Sequence, residues 1–175
     1  MSGPRVVALV GPRGAGKTTI ARALAARLGW RPADGDERIA ASVREPAGAF
    51  LARVGERAFR VVEEELTLAA LAEPGPHVLA LGGGAVLSAA VRAVLREPGV
   101  FVVFLHAPVA TLNDRIAGDP LRPPLTALPP AEEIEGLLRV RRPLYESVAD
   151  FELETVGLDV DAACARIEAK IRGRA

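Results

Sequence analysis

The chain carries only two lysines, Lys17 and Lys170. One of them sits in GPRGAGKTT, residues 11–19, directly after a glycine and before two threonines. Gly11, Gly16, Lys17 and Thr18 match the spacing G-x-x-x-x-G-K-[ST] of a phosphate-binding loop. The residue types explain themselves. Glycines let the backbone curl so that successive N–H groups face phosphate oxygens. A helix beginning near Lys17 adds the positive end of its dipole. Lysine supplies a compact cation on a flexible stem, for which arginine's wider planar fork is no substitute. Thr18 offers a hydroxyl to Mg²⁺. The implied ligand is a nucleoside triphosphate. The loop leaves open what receives the phosphate.

Three other features bear on the acceptor. DGD, Asp34 to Asp36, follows a short extended segment and would lie at the C-terminal edge of a sheet, where ligands bind in open α/β folds. Taken alone, Asp36 is as good an N-cap for ERIAAS as a catalytic group. GGG, Gly82 to Gly84, directly follows an apolar run and could expose backbone N–H groups to a ligand; alone it is equally a flexible turn. Arg60, Arg115, Arg122 and Arg141 fall at turn-like or helix-end positions, where they matter only if they converge.

The elements that must position these groups alternate along the chain. RVVALV (5–10), the segment reaching Asp34, HVLAL (77–81), VFVVFL (100–105) and DFELE (150–154) read as strands. Ile20, Leu24 and Leu28 fall on one helical face that Gly29 ends. Pro46 and Gly48 break the region 44–49, and two helical stretches follow, the second one long. A helix over AEEIEGLLRVR is interrupted by Pro143. A closing helix sets Val160, Cys164, Ile167 and Ile171 on one face. GDPLRPPLTALPP (118–130) is too rich in proline for regular structure and reads as a lid. The alternation predicts an α/β fold with a mainly parallel sheet covered on both faces.

Bulk properties narrow the class. With 175 residues, half of them hydrophobic and a quarter charged, the chain suits one globular domain. A formal net charge of zero gives no basic excess, so neither a nucleic-acid nor a membrane partner is expected. The single cysteine, Cys164, excludes an internal disulfide and reads as a small core residue. No run approaches the roughly 20 apolar residues of a membrane span, and no secretory signal opens the chain. A soluble, cytoplasmic, monomeric protein is the expectation.

Six stretches taken together carry a resemblance: GPRGAGKTT, DGD, GERAFR, LGGGAV, LRPPL and RRPLY, in that order and at suitable spacing. The chain resembles the shikimate kinase family, within the nucleoside monophosphate kinase-like P-loop group, from about Val6 to Asp150. The resemblance implies a P-loop three-layer α/β/α sandwich with a mainly parallel, five-stranded sheet. It implies a single kinase domain over 1–175, with substrate-binding helices at about 36–62 and a mobile lid at about 115–130. It implies ATP, Mg²⁺ and shikimate as ligands, and shikimate 3-phosphate and ADP as products, in aromatic amino-acid biosynthesis.

By the same resemblance, Gly11, Gly14, Ala15, Gly16, Lys17, Thr18 and Thr19 hold the phosphates. Thr18 ligates Mg²⁺ and Asp34 supports it through water. Asp36 binds ring hydroxyls and helps to remove the attacking hydroxyl's proton. Arg60 and Arg141 clamp the substrate carboxylate, and Glu63 orients Arg60. Gly82, Gly83 and Gly84 offer N–H groups to the ring substituents. Arg122 closes over the transferring phosphate, and Arg115 lies against the adenine.

Some positions depart from the family pattern. Gly35 stands where serine is frequent, Leu51 where many members carry phenylalanine beside the ring, and Ala40 where glutamate is frequent. Leu51 keeps an apolar wall but changes its shape, which leaves room for a related kinase of another hydroxylated acid or cyclitol such as gluconate. A non-catalytic nucleotide-binding regulator would be expected to lose Lys17, Asp36 or Arg122, and all three are present.

Overall fold

Five segments, the central three of them apolar, become strands in the computed structural model, which describes residues 3–117 and 126–174. They are β1 (Val6–Val10), β2 (Arg31–Asp34), β3 (His77–Ala80), β4 (Val100–His106) and β5 (Phe151–Glu154). The strands lie in the order β2-β3-β1-β4-β5 and every pairing is parallel. The helices are α1 (Lys17–Leu28), α2 (Gly35–Val43), α3 (Ala47–Ala72), α4 (Ala89–Leu95), α5 (Val109–Ile116), α6 (Pro130–Glu146) and α7 (Val160–Arg174).

Burial on both faces explains why β1 and β4 read as unbroken apolar runs rather than alternating ones. Alternate residues of β1 feed different cores. Val7 and Leu9 join Leu24 of α1 and Cys164 and Ile167 of α7. Val6, Ala8 and Val10 join Leu71 of α3, Val91 of α4 and Tyr145 of α6. A third cluster lies off the sheet. It is built on Ile39, Phe50 and Phe59, with Ala47 and Leu51 packed against it. It holds α2 against the first half of α3.

The strand order creates the binding crevice. The chain runs from β1 to β2 and β3 on one side, then crosses to β4 and β5 on the other. Such a reversal leaves an opening beyond the C-terminal ends of the central strands. The phosphate loop after β1, DGD after β2 and GGG after β3 all open there.

Three expectations are corrected. Gly48 does not lie in a break; Pro46 caps α3 and Gly48 falls in its first turn, while the division into two stretches occurs at Gly55 (φ 79, ψ 164). Pro143 does not interrupt α6, which runs on to Glu146. A helix-interior proline costs about 3 kcal/mol, but Pro143 is exposed and the next turn buries Tyr145 completely. Val160 opens α7 and is 37% exposed, because the first residue of that helix precedes its packed face. The expected lid residues 118–125, Arg122 among them, lie outside the described residues. Among the described residues no helix is long and apolar enough to cross a membrane.

Candidate active site

The phosphate loop is shaped by close backbone approach. Gly11 has φ 143, and a Cβ there would lie 2.2 Å from the Leu105 carbonyl oxygen of β4. Gly14 and Gly16 also take positive φ, and Gly16 caps α1. A side chain would be strained at each of these positions. Ala15 is fully buried and ties the loop to the core. Lys17 Nζ donates to the carbonyls of Gly11 and Pro12, both at 2.8 Å, and so lies back along the loop it serves.

Thr18 and Asp34 meet directly. Thr18 Oγ1 donates to Asp34 Oδ2 at 2.6 Å. The other carboxylate oxygen accepts from the backbone N–H of Asp36 (2.9 Å) and Glu37 (3.2 Å). Asp34 is therefore the N-cap of α2. The alternative reading of Asp36 as a cap is corrected: Asp34 caps the helix, and Asp36 stands in its first turn and lines the cleft.

Opposite the loop lies a second set of charges. Arg60 Nη1 donates to Glu63 Oε2 at 2.5 Å, and Arg60 Nη2 to Glu56 Oε1 at 3.1 Å. The i,i+3 spacing on α3 brings Arg60 and Glu63 onto one face. Burial opposes the Arg60 charge, but Glu63 and Glu56 more than offset it and raise its pKa. Glu63 is 4% exposed. Burial pushes its carboxyl above the ordinary range, Arg60 pulls against this, and the nearby Asp36 adds to the rise.

The triple glycine makes room for this pair. A Cβ on Gly84 would lie 2.1 Å from Arg60 Nη1, and one on Gly82 would lie 2.5 Å from Glu63 Oε1 and 3.3 Å from Asp36 Oδ1. None of the three has positive φ. Gly82 and Gly84 are therefore needed for their missing side chains rather than for an unusual turn, whereas a Cβ on Gly83 would make only ordinary contacts. Arg141 is buried, and its Nη1 lies 3.8 Å from where a Gly83 Cβ would sit.

These groups share one cleft of about 560 Å³. Gly14, Gly16, Lys17, Thr18, Thr19 and Asp34 line its phosphate side, and Asp36, Arg60, Glu63, Gly83, Gly84 and Arg141 its far side. Arg115 stands at the rim, where Nη1 donates to the Gly14 carbonyl (3.1 Å) and to Thr155 Oγ1 (2.9 Å). Leu51 lies in the wall as expected, beside Phe59, Ala47 and Gly48.

Sequence reasoning singled out none of three further polar groups, one lining the cleft and two on α6. Arg13 lines the same cleft from a loop position that the motif leaves free. Glu133, at the start of α6, accepts from the backbone N–H (2.5 Å) and hydroxyl (2.9 Å) of Thr126. Tyr145 donates to the Gly83 carbonyl. The last had a signal, since it follows Arg141 by one helical turn. Cys164 is buried in the core and takes no part in the cleft.

A phosphate loop facing arginines and carboxylates across the open end of a parallel sheet defines an ATP-dependent P-loop kinase. Comparison with known proteins narrows the class. A family model described as shikimate kinase matches residues 13–172. The shikimate kinase of Corynebacterium efficiens is 43% identical over 150 residues, 86% of each chain. That of Saccharopolyspora erythraea is 42% identical over 163 residues, 93% of this chain and 91% of the relative. The structure of Acinetobacter baumannii shikimate kinase in complex with shikimate matches with a TM-score of 0.90 at 34% identity, covering 97% of this chain and 94% of that one. A gluconokinase from Sinorhizobium meliloti, with a TM-score of 0.63 at 19% identity, shares the fold alone. The chain belongs to the shikimate kinase family.

Proposed function

We propose that this protein transfers the γ-phosphoryl group of MgATP to the 3-hydroxyl of shikimate, giving ADP and shikimate 3-phosphate. The observation that carries the reading is the Arg60–Glu63 pair, seated against Gly84 and Gly82 across the cleft from Lys17. A carboxylate is best gripped by arginine forks, and Arg60 and Arg141 supply two. Glu63 fixes the first of them. Asp36 accepts hydrogen bonds from ring hydroxyls and takes the proton as the hydroxyl oxygen bonds to phosphorus. The bond from the γ-phosphorus to the bridging oxygen breaks, and its electrons leave with ADP. Lys17 and the loop N–H groups stabilise the charge spread over the phosphoryl oxygens.

Thr18 and Asp34 present hard oxygen ligands 2.6 Å apart beside Lys17. That set suits Mg²⁺, which is held by one or two protein oxygens together with phosphates and water; when bound, it would neutralise phosphate charge. Arg115 is assigned to the adenine side and Arg122 to closure over the phosphoryl group. The enzyme would serve aromatic amino-acid biosynthesis in the cytoplasm.

ADP release by purified protein with MgATP tests the reading, with shikimate, quinate, gluconate and no acceptor in parallel. Release that depends on shikimate is expected. Release with gluconate or quinate instead would overturn the acceptor and turn attention to the wall around Leu51. Nucleotide binding without acceptor-dependent release would overturn the kinase reading.

A further inference from the structure

The Tyr145 side chain has no freedom. It is fully buried, and its ring stacks on Phe104 of β4, with centroids 5.1 Å apart and planes 28° apart. Its hydroxyl donates to the Gly83 carbonyl oxygen at 2.5 Å. Burial pushes the phenol up to about 12, so the hydroxyl keeps its proton and acts as a donor.

The carbonyl it holds belongs to the central peptide of a turn whose ends are fixed, since the Ala85 N–H donates to the Gly82 carbonyl at 3.1 Å and the Leu87 N–H to the Gly84 carbonyl at 2.9 Å. Three successive glycines give the backbone wide conformational freedom. Among the described residues, none of the N–H groups of Gly82, Gly83 and Gly84 donates to a backbone carbonyl. The peptide between Gly83 and Gly84 is trans. In a planar trans peptide the C=O and the following N–H point in opposite directions. Holding the Gly83 carbonyl toward α6 therefore turns the Gly84 N–H away from α6. Both glycines line the cleft. Gly84 abuts Arg60 on one side, and Arg141, one turn before Tyr145 on α6, reaches Gly83 on the other.

We propose that Tyr145 is a positioning residue for the acceptor: its hydroxyl locks the Gly83–Gly84 peptide so that the Gly84 N–H is presented to the bound acid between Arg60 and Arg141. The proposal rests on the reading of the cleft as a shikimate site. One face of α6 then delivers both a guanidinium for the carboxylate and the hydroxyl that aims a backbone donor beside it.

The test is steady-state kinetics of Tyr145→Phe, which keeps the ring and its stack and removes the hydroxyl, both as donor to Gly83 and as partner of the Arg141 guanidinium; the Gly84 amide readout below separates the two. Loss of one aligned hydrogen bond to a charged or polyhydroxylated ligand predicts a rise of about tenfold in KM for shikimate. KM for ATP should not change. Ile167→Ala is the control, because it loosens the core on the opposite face of the sheet and leaves Tyr145, its stack and its hydroxyl in place. It should lower the melting temperature and leave KM for shikimate in place. A Tyr145→Phe enzyme that loses only thermal stability, with KM for shikimate unmoved, would overturn the proposal. So would Ile167→Ala raising that KM equally.

A readout without acceptor separates this proposal from the functional reading. The Gly84 amide resonance of the acceptor-free protein should shift and broaden in Tyr145→Phe. An unchanged resonance overturns the role of Tyr145. Wild-type protein that fails to phosphorylate shikimate overturns the function instead, and the resonance still decides for Tyr145.

Discussion

Two buried glutamates, each paired with an arginine, behave in opposite ways. Glu63 sits in the cleft, 4% exposed, against Arg60. Glu168 sits on the far side of the molecule, 9% exposed, where Arg27 of α1 meets α7. Little of either is exposed, but Glu63 lies deep in the protein and Glu168 near its surface, so depth and neighbours decide together. Glu168 has two arginines, Arg27 and Arg172, the second at 3.0 Å. The Arg27 hydrogen bond outweighs burial and holds its carboxyl below the ordinary range. For Glu63 burial comes first, Arg60 does not fully offset it, and Asp36 repels. The Glu168 pair ties two helices together. The Glu63 pair is held at a cost in stability and kept ready for a ligand, as charges in binding sites commonly are.

The comparison can be broken most severely at Asp36, the carboxylate that repels Glu63. Asp36→Ala should abolish phosphoryl transfer while leaving ATP binding largely intact, as read by ADP release and nucleotide titration calorimetry. Near-wild-type turnover would remove the role of Asp36. Next in size is Arg60→Ala. A carboxylate losing a charge-assisted partner worth about 1.5–3 kcal/mol should bind roughly ten- to a hundredfold more weakly. Calorimetry with shikimate measures this, and unchanged affinity would remove the clamp. Gly84→Ala should act in the same direction, because the new Cβ would occupy the place of the Arg60 guanidinium.

A smaller contrast sharpens the point. Glu63→Gln should weaken shikimate binding without loss of unfolding free energy. Glu168→Gln should lower stability slightly and leave both Michaelis constants alone. Smallest is the pH signature. The Glu63 carboxyl lies above its ordinary value of 4.5, so the folded state keeps a proton that the unfolded chain releases. Its contribution to stability therefore declines as pH rises from that value toward its folded pKa. Glu168 lies below 4.5, so its contribution is present above that value and fades as pH falls through its folded pKa. Denaturant titrations across the acid range should show Glu168→Gln flattening the acid loss and Glu63→Gln removing the opposing slope.

What could be read from the chain alone follows from how local each signal is. The phosphate loop, its preceding strand and its following helix are contiguous, so sterics and hydrogen bonding within 25 residues suffice to specify them. DGD could be placed at a strand end, but which aspartate caps α2 depends on one backbone turn and was open until the geometry showed Asp34. The order β2-β3-β1-β4-β5 depends on contacts between distant segments, and no periodicity encodes it. The triple glycine suggested flexibility. At Gly82 and Gly84 the reason is steric and lies about 20 residues away, in Glu63 and Arg60. The reach of Tyr145 to Gly83 needed the packing of α6 on β4.

The off-sheet cluster of Ile39, Phe50 and Phe59 has a bearing on redesign. The acceptor wall includes Ala47 and Leu51, which pack on that cluster and belong to neither of the two that clamp the sheet. Exchanges at Ala47 and Leu51 should therefore reshape this wall while leaving the two sheet cores in place, as in a replaceable cassette.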